Sequence, residues 1–558
     1  MDAIMNGNMN GQTIGYVTGG SLKEGLLARL TAAPDAVQEG GFVVIESGGR
    51  RFYGLVTNLR LDASDPRFAE NRNEQRLGPR IGRLLHQQTL FTEIEILPVL
   101  MQRVGPEPGT AEFDRHDNAI DPTPVPVKTL PAHHAPVRPA NAFDVSEIFG
   151  DPQEKTKFAI GSTREQNHPV AIDLDKFVQR SSGIFGATGT GKSYLTRLIL
   201  AGLIHSRQAA VLVFDMHNEY GFGDTSPDTN IRVPGLKDKL SDRVKVCALG
   251  RGTTIDGRTP DFDLVLEQRD ILPEDIEMLT HELNLRDTTP NTLAALVRSF
   301  GPANWFKNFM QLKSGEGEGS VTEWAEKANV HAGAAESLQN KLRRVIDRAY
   351  VVEKAPANCI RDIIGYLKSG VSVVLSFGKY DSDLDYLLVT NILTRQIRAA
   401  WEQQTNAFHG SGGAKPTPLV IALEEAHKLL NREMAAQTAF SRIAREMRKY
   451  FVTLLVIDQR PSQIYDEVMS QLGTRISGWL GDDADIAAVL SGLSGRDTLR
   501  GMLSRLQPKE EVLLLGYGVP MPLPVRSRRY DDQFWKELLK NERPVHFEKG
   551  KPDWLFEE

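Results

Sequence analysis

Nothing in this chain constrains its fold more than Gly186, Ala187, Thr188, Gly189, Thr190, Gly191, Lys192 and Ser193. They match the spacing of a phosphate-binding loop: glycine, four residues, then Gly-Lys-Ser/Thr. Three glycines let the backbone turn its N–H groups inward. With the start of the following helix, those donors make a concave anion site for the β-phosphate of a nucleotide. In that arrangement Lys192 reaches the β- and γ-phosphates of ATP and the Ser193 hydroxyl ligates Mg²⁺. The flanks agree, since Ser182 to Phe185 reads as a short strand and Tyr194 to Leu203 has helical apolar spacing. Strand, loop and helix in this order predict a parallel α/β sheet.

Composition narrows the rest. A length of 558 residues suggests two to four domains, and 41% hydrophobic content suffices for ordinary cores. Cys247 and Cys359 are the two cysteines. They cannot build a disulfide framework and lack metal-ligand spacing, which points to a reducing cytoplasm. The first residues show no secretory pattern and no stretch approaches eighteen uninterrupted apolar residues, so neither export nor membrane insertion is expected. A net charge of -6 excludes a body coated in basic surface but leaves room for a local basic channel.

Residues 1–118 read as an all-β module, a small barrel with strands at Thr13–Thr18, Gly41–Glu46, Arg51–Asn58 and Thr92–Val99 and a turn at Ser47-Gly48-Gly49. Such barrels more often serve assembly or partner docking than catalysis. A proline-rich linker or strap occupies 119–150, with Asp121 to Pro139 too rich in proline for a helix or central strand. His133 and His134 lie inside it without partners at ligand spacing.

A first part of the α/β core is expected at 151–263, opening with two strands between Phe158 and Leu174. The apolar run Ala209–Asp215 ends in a polar cluster, and ligands of open α/β sheets gather at that end of a strand. Asp215, His217 and Glu219 therefore either face the nucleotide and its metal water or simply cap the next turn. A helical insertion with a flexible tip spans 264–350, its helices including Ile271–Leu283. The core resumes over 351–510, with strand Val371–Gly378 and a helix from Asp383 to Gln403. Strand Leu419–Leu423 runs into Glu424 and Glu425. Glu424 is expected to hold the Mg²⁺ water shell, and Glu425 to polarise the water attacking the γ-phosphate. Strand Val452–Ile457 leads to Gln459, placed to sense that phosphate. Between them a helix from Glu433 to Tyr450 carries Arg442, Arg445, Arg448 and Lys449 at spacings that stripe one face. Such a stripe is either solvated and salt-bridged or a finger reaching a neighbour's nucleotide.

Taken together, the phosphate loop, the DMHNEY segment, LEEAHKLL, REMRKY and IDQRPSQI resemble the HerA group of HerA/FtsK ATPases. The resemblance covers nearly the whole chain in order. It implies a RecA-like motor with a helical insertion, preceded by a small N-terminal β-barrel. It further implies a hexameric ring that threads double-stranded DNA and works with a nuclease or other effector docked on the barrel. By position, it makes Glu425 the catalytic acid, Gln459 the sensor and Arg448 the finger, with Arg180 near a subunit boundary and Arg445 a neighbouring interface candidate. Glu424 stands where many related motors have aspartate. Residues 511–558 then form a closing hairpin and a tail packed on the neighbouring subunit. Lys237, Lys239 and Arg251 lie in loops that either line a channel or are solvated. Two other functions stay open. One is an ATPase scaffold licensing a defence effector, nuclease or NADase; the other is a membrane coupling ATPase, which the missing transmembrane segment disfavours.

Overall fold

The computed structural model describes residues 12–63, 90–105, 123–225, 232–356, 358–435, 439–493 and 495–540. The first eleven residues, the start of the proline-rich stretch at 121–122 and the end of the tail at 541–558 lie outside them.

Six strands close a barrel in the order Gly25–Leu30, Gly15–Ser21, Pro136–Pro139, Phe42–Ser47, Arg50–Ala63, Leu90–Arg103, and the last pairs with the first. Two of these were not expected from sequence. Gly25–Leu30 pairs antiparallel with Gly15–Ser21. Pro136–Pro139 sits centrally between two barrel strands, so part of the expected linker is instead barrel wall. The prolines stand at the first and last positions of that strand, where a missing N–H is tolerated, and Val137 between them accepts from the Ile14 N–H at 2.8 Å.

Alternation along one strand explains how barrel and core join. In Phe42–Ser47, Val43 and Ile45 point into the barrel core, whereas Phe42 and Val44 belong to the main core with Phe149 and Phe158. Helix Ala142–Phe149 fills the seam, started by a capping box in which the Asn141 side chain accepts from the Asp144 N–H. Across that seam the Tyr53 hydroxyl donates to Gln102 at 2.8 Å and to Glu147 at 3.2 Å.

The core is a twelve-stranded sheet. From one edge its order is Phe262–Leu264, Val244–Leu249, Ser372–Ser376, Ala210–Asp215, Leu419–Leu423, Val452–Asp458, Ser182–Phe185, Thr474–Ser477, Glu511–Gly516, Leu523–Ser527, Lys157–Thr163 and Pro169–Asp173. Strands up to Thr474–Ser477 run parallel, and those beyond are antiparallel. The parallel strands read as continuous apolar runs because both faces are covered. The Lys157–Asp173 hairpin precedes the phosphate loop in sequence yet lies at the far edge of the sheet.

Short helices between 273 and 346 make up the insertion, with Pro273–Glu277 much shorter than the expected Ile271–Leu283. At its tip Ser320 caps Val321–Lys327 by accepting from the Glu323 N–H. Of the expected Glu433–Tyr450 helix, Arg432–Ala435 and Ala439–Glu446 are described as α-helix and Met447–Tyr450 as a 3-10 turn, so Arg448 leaves the α-helical spacing that holds Arg445. The side chain of Arg442 lies outside what is described.

The described part of the tail makes contacts within its own chain, and the rest of it, residues 541–558, lies outside the described residues. Helix Asp532–Leu539 packs on its own subunit, with Phe534 edge-on to Phe158 and the Tyr530 hydroxyl donating to the Pro234 carbonyl at 2.9 Å. Trp535 is 1% exposed. Trp535→Ala is expected to cost about 3–5 kcal/mol of stability, read as a lower denaturation midpoint with the particle mass unchanged. A change of mass without that loss would restore a neighbour-packed tail.

Candidate nucleotide site

Three adjacent parallel strands build the site. Leu419–Leu423 delivers Glu424 and Glu425, Val452–Asp458 delivers Gln459, and Ser182–Phe185 delivers the phosphate loop. Their carboxyl ends share one edge, so the acids stand two strands from the loop with the sensor between them. The register fixes this, pairing Leu423 with Val456 and Phe185 with Asp458.

Within the loop, Gly189 and Gly191 take positive φ of 76° and 89°, a region that favours residues without a Cβ. Helix Lys192–Ser206 starts directly after them, which brings Lys192 and Ser193 into its first turn with their N–H groups free of intrahelical partners. Thr188 at the rim donates to the Gln459 side-chain oxygen, and the Gln459 amide donates to Glu425 Oε1 at 2.9 Å. Lys192 Nζ lies 3.8 Å from the same Glu425 oxygen. Loop, sensor and second acid are thus brought together. Glu425 has φ of +47°, strained for a residue with a Cβ, and the turn thereby leaves the strand axis just where the carboxylate enters the site.

Glu424 is deeper, at 3% exposure. Burial, then the nearby Asp215 and Glu219 carboxylates, push its pKa well above the ordinary value, against the pull of Lys192. The Tyr220 hydroxyl lies 3.4 Å from Glu424 Oε1, but Oε2 is buried without a hydrogen-bond partner. Lys192 Nζ is likewise buried without one. An orphaned ammonium and an orphaned carboxylate oxygen in one cleft suit an anionic phosphate and a divalent cation, so the donors present fit ATP and Mg²⁺.

The polar cluster after Ala210–Asp215 resolves residue by residue. Asp215 accepts the N–H groups of Glu219 at 2.8 Å and Tyr220 at 2.9 Å, so it caps the turn, and burial raises its pKa to about 6. His217 is exposed. Glu219 keeps a buried, unpartnered Oε2, while its carbonyl accepts from Arg197 on the loop helix. Glu219 and Glu424 thus surround the cleft, and Asp215 holds the turn that presents them.

The basic residues separate from this cleft. Arg180, Arg445 and Arg448 line a cavity of about 610 Å³ with Asp466 and Arg475, and neither Lys192 nor Glu425 is among its lining residues. Arg180 stacks over Tyr517 at 4.3 Å, and Arg445 pairs with Glu467 at 2.9 Å. Arg475, on the strand beside the phosphate-loop strand, was missed from sequence. It is 4% exposed, burial pulls its pKa down to about 10, and its Nε has no partner. An arginine inside the short strand Thr474–Ser477 was the available signal. Lys237 and Lys239 lie in helix Leu236–Leu240 and not in a loop as expected, Lys237 paired with Asp261 and Lys239 with Asp532.

Glu424→Gln tests the strain at the site. A raised acid pKa means that the folded state binds the extra proton, so stability falls as pH rises above 4.5 toward the folded value. Removing the carboxyl is expected to raise the melting temperature at neutral pH by roughly 2–4 °C, the worth of about 1 kcal/mol. The advantage shrinks toward pH 4, and the extra stabilisation that Mg²⁺ adds to bound ATP is lost. A variant less stable than the parent at every pH would contradict the burial argument.

Parts of this chain are similar to known proteins. Residues 158–397 match the family model described as "Helicase HerA, central domain", and residues 14–78 match "HAS barrel domain". The DNA double-strand break repair helicase HerA of Sulfolobus acidocaldarius is 25% identical over 97% of this chain and 100% of its own. Its counterpart from Saccharolobus solfataricus is 24% identical over 95% and 97%. Among solved structures, VirB4 of Thermoanaerobacter pseudethanolicus covers 67% of this chain and 97% of its own at 15% identity, with a TM-score of 0.43. No helix among the described residues is long and apolar enough to cross a membrane. Barrel, core and ordered motifs are thus similar, along nearly the full length of this chain, to the HerA DNA double-strand break repair helicases.

Proposed function

We propose that this protein is an ATP-dependent motor that assembles as a hexameric ring and translocates double-stranded DNA, with a nuclease or other effector docked on its barrel. The observation that carries the reading is the linkage of Thr188, Gln459, Glu425 and Lys192 across three strands. It ties the phosphate loop to the residue that would activate water.

Lys192 and the loop N–H groups hold the triphosphate, and Ser193 and Glu424 are the residues that would hold Mg²⁺. The metal, when bound, neutralises charge on the β- and γ-phosphates. Glu425 accepts a hydrogen bond from the attacking water and takes its proton as the water oxygen attacks, and Gln459 reports through Thr188 whether the loop is filled. The barrel and the DNA role are supported by the full-length relatives named DNA repair helicases.

Assembly is supported by the arginine-lined cavity. Arg180, Arg445, Arg448 and Arg475 collect positive charge at a surface cavity that shares no lining residue with the phosphate loop. In a ring, Arg448, which is exposed, is the side chain placed to meet a neighbour's γ-phosphate. Effector licensing without processive translocation is the second reading, and it uses the same ATPase site.

Lys192→Ala is expected to abolish nucleotide binding, whereas Glu425→Gln retains ATP and stops turnover. Equal turnover in Glu425→Gln and wild type would remove the catalytic assignment. Arg448→Ala is expected to lower turnover at least a hundredfold with little change in ATP affinity. Mixing Arg448→Ala with Glu425→Gln subunits then restores part of the activity; no recovery at any ratio would count against action between subunits. DNA affinity is expected to fall linearly in log–log terms with salt, and a flat dependence would exclude a backbone-tracking channel.

A further inference from the structure

His427 ends the acidic motif and has no part in the reading above. Its place in the fold is unusual. Asp458, the last residue of the sensor strand, is fully buried, and its carboxylate accepts the backbone N–H of His427 at 2.7 Å and that of Arg460 at 2.8 Å. The His427 ring turns back on the same group, with Nδ1 3.0 Å from Asp458 Oδ2 and 3.3 Å from Oδ1. That Nδ1 is also 3.7 Å from Glu425 Oε2. Glu425 thus accepts from Gln459 on Oε1 at 2.9 Å, while Oε2 has the His427 ring at ion-pair distance, with the Nδ1 hydrogen bond itself going to Asp458.

We propose that His427, anchored by Asp458, is the positioning residue that fixes the Glu425 carboxylate in the orientation needed for water activation. The proposal rests on Glu425 being the water-activating acid. Two features carry it. Asp458 has no exposure and takes the Nδ1 contact at 3.0 Å beside two backbone N–H groups, so the imidazole is held with Nδ1 toward the carboxylates. Glu425 sits in left-handed backbone conformation, so the turn alone does not hold it, and side-chain partners must.

The charged groups facing the ring are Asp458, Glu425 and Lys428. Lys428 opposes a positive imidazole but is itself paired with Asp383 at 2.8 Å. The hydrogen bond to Asp458, then the two carboxylate charges, raise the His427 pKa despite burial. A raised histidine pKa means the charged form persists to higher pH in the folded protein and is lost as pH rises through that value. Loss of the charge loosens the hold on Oε2, so turnover carries an alkaline limb that belongs to His427.

The test is steady-state hydrolysis by the full-length protein with saturating Mg·ATP from pH 6 to 9, together with affinity for a non-hydrolysable ATP analogue. His427→Ala is expected to lower kcat about tenfold or more, with analogue affinity within about twofold of wild type. His427→Asn places an amide donor where Nδ1 stood. It is expected to exceed the Ala variant several-fold, to level off near the wild-type rate at the top of the alkaline limb, and to abolish the limb itself, since an amide is neutral and does not titrate. Asp458→Asn weakens the anchor and moves the limb to lower pH. A wild-type kcat and pH profile in His427→Ala would overturn the proposal. So would an Asn variant that folds and binds the analogue yet is as slow as Ala, because any ring-shaped filler would then be all the site requires. Should His427→Ala fail to fold, the Asn and Asp458→Asn profiles decide the matter. Loss of turnover in Glu425→Gln together with an unchanged profile in the histidine variants would sink this inference and leave the ATPase reading standing.

Discussion

A lysine ammonium and a carboxylate oxygen, both buried and both without a hydrogen-bond partner, face the same cleft at the edge of the sheet. Leaving either group unsatisfied costs free energy of the order of a full desolvation penalty, about 1–3 kcal/mol or more for a charged group. Lys192 and Glu424 are kept in that state because the surrounding strands hold them rigidly and bury the acid among Asp215, Glu219 and Tyr220. The rest of the chain can be understood as the scaffold that tolerates this strain. The parallel strands bury both faces and supply the stability, and the left-handed turn at Glu425 points the second acid at the loop. A triphosphate with its divalent cation would bring the charges that satisfy both groups together.

Sheet order turns this local chemistry into communication. Because the sensor strand lies between the acidic strand and the loop strand, one side chain, Gln459, touches both. A shift of the phosphate loop through Thr188 therefore reaches Glu425 in two hydrogen bonds. On the other side of the loop strand, Thr474–Ser477 carries Arg475 to the floor of the basic cavity. A single layer thus connects the cleft with the surface where a neighbour would sit.

Much of this was legible in the sequence, because it is local. The phosphate loop is a contiguous motif, and the strands Leu419–Leu423 and Val452–Asp458 are unbroken apolar runs ending in polar residues. What stayed hidden depends on partners distant in the chain. Pro136–Pro139 reads as linker until two barrel strands are placed on either side of it. Asp215 reads equally as a residue facing the nucleotide and as a turn cap until its oxygens are seen taken by turn N–H groups. The arginine stripe assumed one helix, but the α-helix that carries Arg445 ends at Glu446 and the chain tightens at Met447, so Arg448 no longer follows the spacing of three. The tail offered an unused clue: Asp531 caps a short amphipathic helix whose Phe534 and Trp535 need a core, and the nearest is its own.

The account turns on Lys192 and Glu424 being a matched pair of vacancies for one ligand. A structure of the Glu425→Gln protein with ATP and Mg²⁺ tests that most directly. It is expected to show Lys192 Nζ on phosphate oxygens and Glu424 Oε2 engaged by the cation or its water, with Gln459 still bridging Thr188 and residue 425. Nucleotide bound in the loop with both groups still unpartnered, or with residues 424 and 425 turned away from it, would contradict the account.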